Sequence, residues 1–173
     1  EIGGRVIFNV TTFGKMIWDD IQMEKQWGYE KGIGQGMVTK RMFYLRLHSL
    51  CRRNKYSEVS FYGFQIPKTV WTNQLNIIPF FMKTMATLMK FFGGFISIEK
   101  CGMIIAPLFT EKQEESLKKS GKFITRKKDK FIELKENNEV TNEELQEKLW
   151  KISLDLCKDE RTIQIAESLI SQG

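Results

Sequence analysis

Proton transfer at neutral pH needs a side chain whose pKa a neighbour has shifted, and a tyrosine with a lysine one helical turn later forms such a pair. Tyrosine occurs here only at Tyr29, Tyr44, Tyr56 and Tyr62, and the residues four positions on are Ile33, His48, Ser60 and Ile66. No Tyr-x-x-x-Lys pair exists in any register. His48 is the only histidine and stands among hydrophobic neighbours, so it is expected to be a helix residue and not a metal ligand or base. Serine-histidine and cysteine-histidine catalysis would both have to use it. Asp19 and Asp20, with Glu24 nearby, are carboxylates of the type that serve acid-base or metal chemistry. No metal site is expected of them. Gly32-Ile33-Gly34-Gln35-Gly36 has the composition of a phosphate-cradling loop, yet a dinucleotide fingerprint spans Gly-x-Gly-x-x-Gly directly after a strand. The residues before it, from Gln22 to Lys31, are polar and loop-like, which predicts a flexible helix entrance.

Gly3-Gly4-Arg5-Val6-Ile7-Phe8-Asn9-Val10-Thr11-Thr12, the run Asp19-Asp20-Ile21-Gln22-Met23-Glu24-Lys25 and the following Gly34-Gln35 resemble the short-chain dehydrogenase/reductase family, closest to its retinol-dehydrogenase-like branch. The resemblance places Ile33 at the family's catalytic tyrosine, Met37 at its lysine and Thr12 at its assisting serine. Neither Ile33 nor Met37 can move a proton, and Thr12 alone can only hydrogen-bond a carbonyl. The family's Pro-Gly-x-x-x-Thr turn corresponds to Pro67-Lys68-Thr69-Val70-Trp71-Thr72, so Pro67 and Thr72 are its weak cofactor-contact matches. Lys68 replaces the glycine and adds bulk there. Ser97-Ile98-Glu99-Lys100-Cys101-Gly102-Met103 resembles the start of the penultimate core helix, and Gly121-Lys122-Phe123-Ile124 resembles the last strand. The run with Asp19, Asp20 and Glu24 matches a surface loop that precedes the family's catalytic helix, which implies solvated charges there. The resemblance spans about Gly3 to Leu156 and implies a catalytically disabled relative with no cofactor. A split or divergent NAD(P)-dependent oxidoreductase, completed by another chain, is the alternative. A lipid- or retinoid-carrying module using the old substrate pocket is a third reading.

These residues need elements to position them. Val6-Ile7-Phe8-Asn9-Val10 reads as a buried parallel strand opening onto a site at its carboxyl end. Val38, Met42, Leu45 and Ser49, broadened by Phe43, Leu47 and Leu50, predict a long amphipathic helix from about Gln35 to Arg52. Val59-Ser60-Phe61-Tyr62-Gly63-Phe64 is the second strand, and it stops before Pro67. Strand, helix and strand make one βαβ unit. Met103, Ile104, Ala106 and Leu108 are expected to form a further apolar stripe. Thr141 and Glu144 form a capping box for a helix from about Asn142 to Cys157, with Leu145, Leu149, Ile152 and Leu156 on one face beside Trp150. Ile163, Ala166, Leu169 and Ile170 predict a short last helix whose apolar face must dock.

The expected fold is therefore α/β: a Rossmann-like doubly wound parallel sheet represented by its carboxyl-terminal half, about three strands plus helices. Residues 1–157 are expected to form this domain and residues 158–173 a helical extension. The strand from Val6 to Val10 would then be an apolar edge, which invites association. A non-catalytic accessory or structural subunit of a larger, membrane-associated complex is the functional expectation, with a protein partner covering that edge.

The whole composition sets bounds. The chain's 173 residues, 42% of them hydrophobic, suffice for one real core. Its 27 Lys+Arg against 21 Asp+Glu give +6. The excess sits largely in Lys118, Lys119, Lys122, Arg126, Lys127, Lys128 and Lys130, a predicted solvated loop, and no nucleic-acid partner is expected. Cys51, Cys101 and Cys157 are odd in number and far apart, which argues for an intracellular, reducing setting. A mitochondrial or other organelle membrane complex would suit the surface, although no signal or transit segment is recognisable from Glu1 onward. The Phe/Met-rich stretch from Ile77 to Ile96, interrupted by Lys83 and Lys90, is too broken for a membrane span. It is expected either to pack as the substrate-lid and core-packing helix pair that the resemblance implies or to lie against a bilayer or hydrophobic partner.

Overall fold

The computed structural model describes residues 4–25, 28–53, 56, 58–71 and 80–171. Its centre is a four-stranded, mostly parallel sheet with helices on both faces, in the order β1-β2-β5-β6. β1 (Arg5–Asn9) pairs in parallel with β2 (Ser60–Gln65), which pairs in parallel with β5 (Phe123–Lys127). The antiparallel neighbour β6 (Lys130–Glu133) closes a hairpin on β5. That fourth strand goes beyond the three expected, and it lies in the lysine-rich segment read as a solvated loop. Lys128 at φ 55° makes the tight turn, and Lys119 pairs with Glu111 and Lys122 with Glu133. Cross-strand pairing thus orders residues whose charge pattern alone reads as solvated.

Side chains alternate across the sheet and divide the core in two. Val6, Phe8, Val10, Phe61 and Phe123 face α1 (Tyr29–Arg53), where Val38, Met42 and Tyr44 are fully buried. Ile7, Tyr62, Phe64 and Ile124 face α3 (Ile98–Thr110) through Ile104, Ile105 and Leu108. The chain moves one place along the sheet from β1 to β2 and again from β2 to β5. The helices of the two steps lie on opposite faces, so the two crossovers have opposite hands. Only one can be the right-handed form that parallel units almost always use.

α3 buries Cys101 and Leu108, and with Ile104 and Ile105 these follow the spacing of one helical stripe. Met103 and Ala106, expected on the buried face, fall on the other side and are exposed. Pro107 lies inside this helix and has no N–H for the Met103 carbonyl. Arg126 supplies the missing donor, with Nη1 3.0 Å from that oxygen. Arg5, from the start of β1, donates to the Leu108 and Glu111 carbonyls at 2.7 and 2.9 Å and satisfies the helix end.

α1 begins at Tyr29, a turn and a half before the predicted start, so the glycine-rich segment is helix and not a flexible entrance. The cause is tertiary. Gly14, at φ +108°, lies so close to Gly34 that a Cβ on it would fall 2.0 Å from the Gly34 carbonyl oxygen. The loop after β1 therefore packs directly on the first turns of α1.

On α1's face also sit α5 (Asn138–Thr141), α6 (Glu143–Leu156) and α7 (Glu160–Ser171). The start of α6 is capped by Asn142, whose side chain accepts from Leu145 N at 3.0 Å. Thr141 instead belongs to α5 and bonds back to Asn137 and Asn138, so the Thr141–Glu144 capping box does not form. The last helix docks on this same chain, with Ala166 and Leu169 against Leu50 and Trp150. Beyond β2, a two-stranded sheet joins β3 (Thr69–Val70) to β4 (Phe95–Ile96), with α2 (Phe80–Phe91) between them in sequence. The short α4 (Gln113–Lys118) packs Ser116 against Ser60 at the start of β2, with 2.5 Å between hydroxyl oxygens.

Candidate functional site

Parallel sheets place ligands at the carboxyl ends of their strands. Here that end gathers Thr11 and Thr12 after β1, Gln65 as the last residue of β2 with Pro67 beyond it, and Thr125 in β5. Thr12 is exposed, and its hydroxyl donates to Gln65 Oε1 at 3.2 Å. Thr125 donates to the Gln65 carbonyl at 2.8 Å, so hydroxyls on both flanks hold the end of β2. Pro67 is exposed beyond it. Thr72 lies outside the described residues. Lys68 reaches away from this end and donates to the Gly93 carbonyl at 2.6 Å.

Ile33 and Met37 lie on the first turns of α1, both half-buried. One turn further along the same stripe is Arg41, fully buried, which the periodicity argument passed over. Its Nη1 donates to the Thr11 carbonyl and, at 3.1 Å, to the Phe13 carbonyl. Its Nε lies 3.0 Å from the Glu136 carboxylate, which is also buried. Burial lowers the Arg41 pKa while Glu136 opposes the shift, and burial raises the Glu136 pKa against the pull of Arg41. The pair is therefore costly to bury and serves to fasten the loop after β1. A cation among Val38, Met42 and Leu45 at helical spacing was the available signal for it.

More side chains bind the same loop. Gln35 accepts from Ile17 N at 2.9 Å and donates to the Ile21 carbonyl at 2.7 Å. Glu139 accepts from Trp18 Nε1 at 3.1 Å and from Met16 N at 3.4 Å. Asp20 is only 5% exposed, and its carboxylate accepts from Glu24 N at 2.7 Å and Lys25 N at 2.9 Å. The expectation of solvated carboxylates holds for the exposed Asp19 and Glu24 and fails for Asp20. Two backbone donors at the turn make burial of that charge tolerable.

The phenols follow the opposite logic to an activated acid. Tyr44 is buried and donates to the Phe61 carbonyl at 2.7 Å, and burial drives its pKa far upward. Tyr62 donates to the Leu108 carbonyl at 3.2 Å, and burial leads the causes that push it up to about 12. Both are structural hydroxyls that tie a strand to a helix. His48 lies on α1, half-buried and stacked near Tyr44. Cys51 and Cys101 are buried free thiols, and Cys157 is half-buried. Among the described residues no cluster of three His, Cys, Asp or Glu side chains could hold a metal ion.

Neither a protein-family model nor a curated protein matches this sequence.

Proposed function

We propose that this chain is a non-catalytic, short-chain-dehydrogenase-like accessory subunit, a carboxyl-terminal half of a Rossmann-like doubly wound sheet kept for the surfaces it offers to an assembly. The carrying observation is the stripe Ile33, Met37 and Arg41 beside the end of β1. Where the resemblance calls for an activated phenol and an ammonium, two side chains have no exchangeable proton. The third is a guanidinium committed to the Thr11 and Phe13 carbonyls and to Glu136. Thr12 keeps a hydroxyl, but nothing beside it in this stripe can take its proton.

The strand order supports the same reading. β1, β2 and β5 lie side by side and parallel, and they carry the segments that the resemblance matches before Thr12, before Pro67 and at Gly121 to Ile124. One side of β1 has no strand beside it within the described residues. Gly4 O and Val10 N bond to β2, so the alternate backbone groups of Arg5, Ile7 and Asn9 point the other way. Such an edge is a template for a strand from polypeptide outside these residues.

The test is a titration of the protein, in the assembly in which it purifies, with NADPH and NADH while tryptophan fluorescence is followed. The expected result is no saturable change and no turnover. Micromolar binding with turnover would instead establish the split oxidoreductase.

A further inference from the structure

α2 carries its apolar side outward. Met85, Leu88 and Met89 are 49, 53 and 53% exposed, and with Phe92 just past the helix, at 77%, they recur at the spacing of one helical face. Phe91 beside them is 86% exposed, the most open large apolar side chain among the described residues. Surface helices of globular domains normally turn such a face to their own core. Among residues 83–91 only the Ala86 side chain is buried, and the helix packs beside β4 of the small β3–β4 sheet.

The charges around this face are of one sign. From Lys68 to Phe109 the sequence contains Lys68, Lys83, Lys90 and Lys100 against the single acid Glu99. Lys83 and Lys90 share a stripe of α2 roughly opposite its apolar face. Lys90 covers the Trp71 ring at 4.2 Å, and Lys68 holds the Gly93 carbonyl at the turn that presents Phe91 and Phe92. Ile98, 62% exposed, shares a surface hollow of about 260 Å³ with Trp71 and Lys90. Paired aromatics at a turn, a methionine and leucine face, and a cationic surround match the chemistry of an anionic lipid surface. Among the described residues no helix is long and apolar enough to cross a membrane, so the contact argued here lies in the interface plane.

We infer that the outward face of α2, with Phe91 and Phe92 at its tip, docks in the interface of an anionic bilayer. The aromatic rings and Met/Leu side chains enter at the level of the acyl boundary, and the lysines on the opposite stripe and at the turn give the helix the positive potential that draws it to an anionic surface. This stands whether or not the chain binds a nucleotide, since none of these residues belongs to the β1 site.

The test is vesicle flotation of the full chain in the assembly in which it purifies. One vesicle set is phosphatidylcholine alone, and the other carries about one-third phosphatidylserine. Flotation with the anionic vesicles, weak with the neutral ones and reduced by salt, is expected. F91S/F92S should lower recovery by about tenfold, because both rings are already in solvent and their loss spares the fold. K83Q/K90Q should weaken binding and flatten its salt dependence. Leu156→Ser, an exposed site on α6, should float like the wild type. Equal binding to both vesicle types, no flotation, or undiminished binding by F91S/F92S would overturn the inference. Release of a co-purifying protein by F91S/F92S without any flotation would assign the face to that protein and also overturn it.

Discussion

Arg41 and His48 lie two turns apart on α1 and show what burial does to charge at the level of single residues. Arg41 keeps its charge because three acceptors surround it, and the reward is a fixed loop after β1. His48 has no such acceptors. Its ring stacks near Tyr44 and Phe61, and its Nε2 is buried without a hydrogen-bond partner. Burial, reinforced by Arg52, lowers its pKa from the ordinary 6.5. The unfolded chain therefore takes up a proton at a pH where folded His48 stays neutral. Stability from this residue is present above 6.5 and is lost as pH falls from there through the lowered folded value. Urea midpoints measured between about pH 7.5 and pH 5.5 should fall with pH, and His48→Gln should flatten that interval. An unchanged slope in the variant would assign the effect to other groups.

At the scale of elements, α1 shows two glycines under opposite constraints. Gly34 is buried and receives the Gly14 backbone, whereas a Cβ on Gly36 would meet nothing within 4 Å. Gly14→Ala places a methyl on the Gly34 carbonyl and a side chain at φ +108°, and should cost more than about 1 kcal/mol. Gly36→Ala only removes backbone freedom in a helix interior and should stabilise by about 0.5–1 kcal/mol. Chemical denaturation of the two variants should move the midpoint in opposite directions. A neutral Gly14→Ala would mean that the loop does not rest on α1. α3 illustrates the same dependence between elements. Its interior Pro107 is tolerated because Arg126 of β5 serves the carbonyl that the proline leaves open.

The whole molecule is organised around a sheet with unlike edges. β6 ends one side with an antiparallel hairpin bearing Lys130 and the exposed Glu133. β1 ends the other with a half-buried apolar strand on which Lys40 Nζ reaches the outward Asn9 carbonyl at 3.3 Å, while the outward groups of Arg5 and Ile7 face no strand within the described residues. Alone, the chain is expected to aggregate or recruit a strand. Asn9→Pro tests this because the Asn9 N–H points away from β2 and its side chain is exposed, so the ladder to β2 survives. The variant should retain helix and strand content by circular dichroism and lose co-purifying polypeptide by about tenfold in native mass spectrometry. A wild-type chain that is a monodisperse monomer with one sharp unfolding transition would sink the edge-pairing proposal.

Local pattern determined a good deal by itself. Short apolar runs gave β1 and β2 within one residue, and the spacing of Leu145, Leu149 and Ile152 gave α6, because these signals come from burial within a short segment. The lack of a tyrosine-lysine pair was likewise complete in the sequence, since it depends only on which residues exist. Other features were decided in three dimensions. Asp20 is buried because a turn brings two N–H groups to its carboxylate, and Gly32 to Gly36 are helical because a distant glycine packs on them. Residues 127 and 130 became strand through pairing with each other. Arg41 acquired its role only when Thr11, Phe13 and Glu136 met it from 28 to 95 positions away in the chain. Composition and periodicity report the environment a residue needs, whereas the identity of its partners is fixed by long-range closure, which no local window contains.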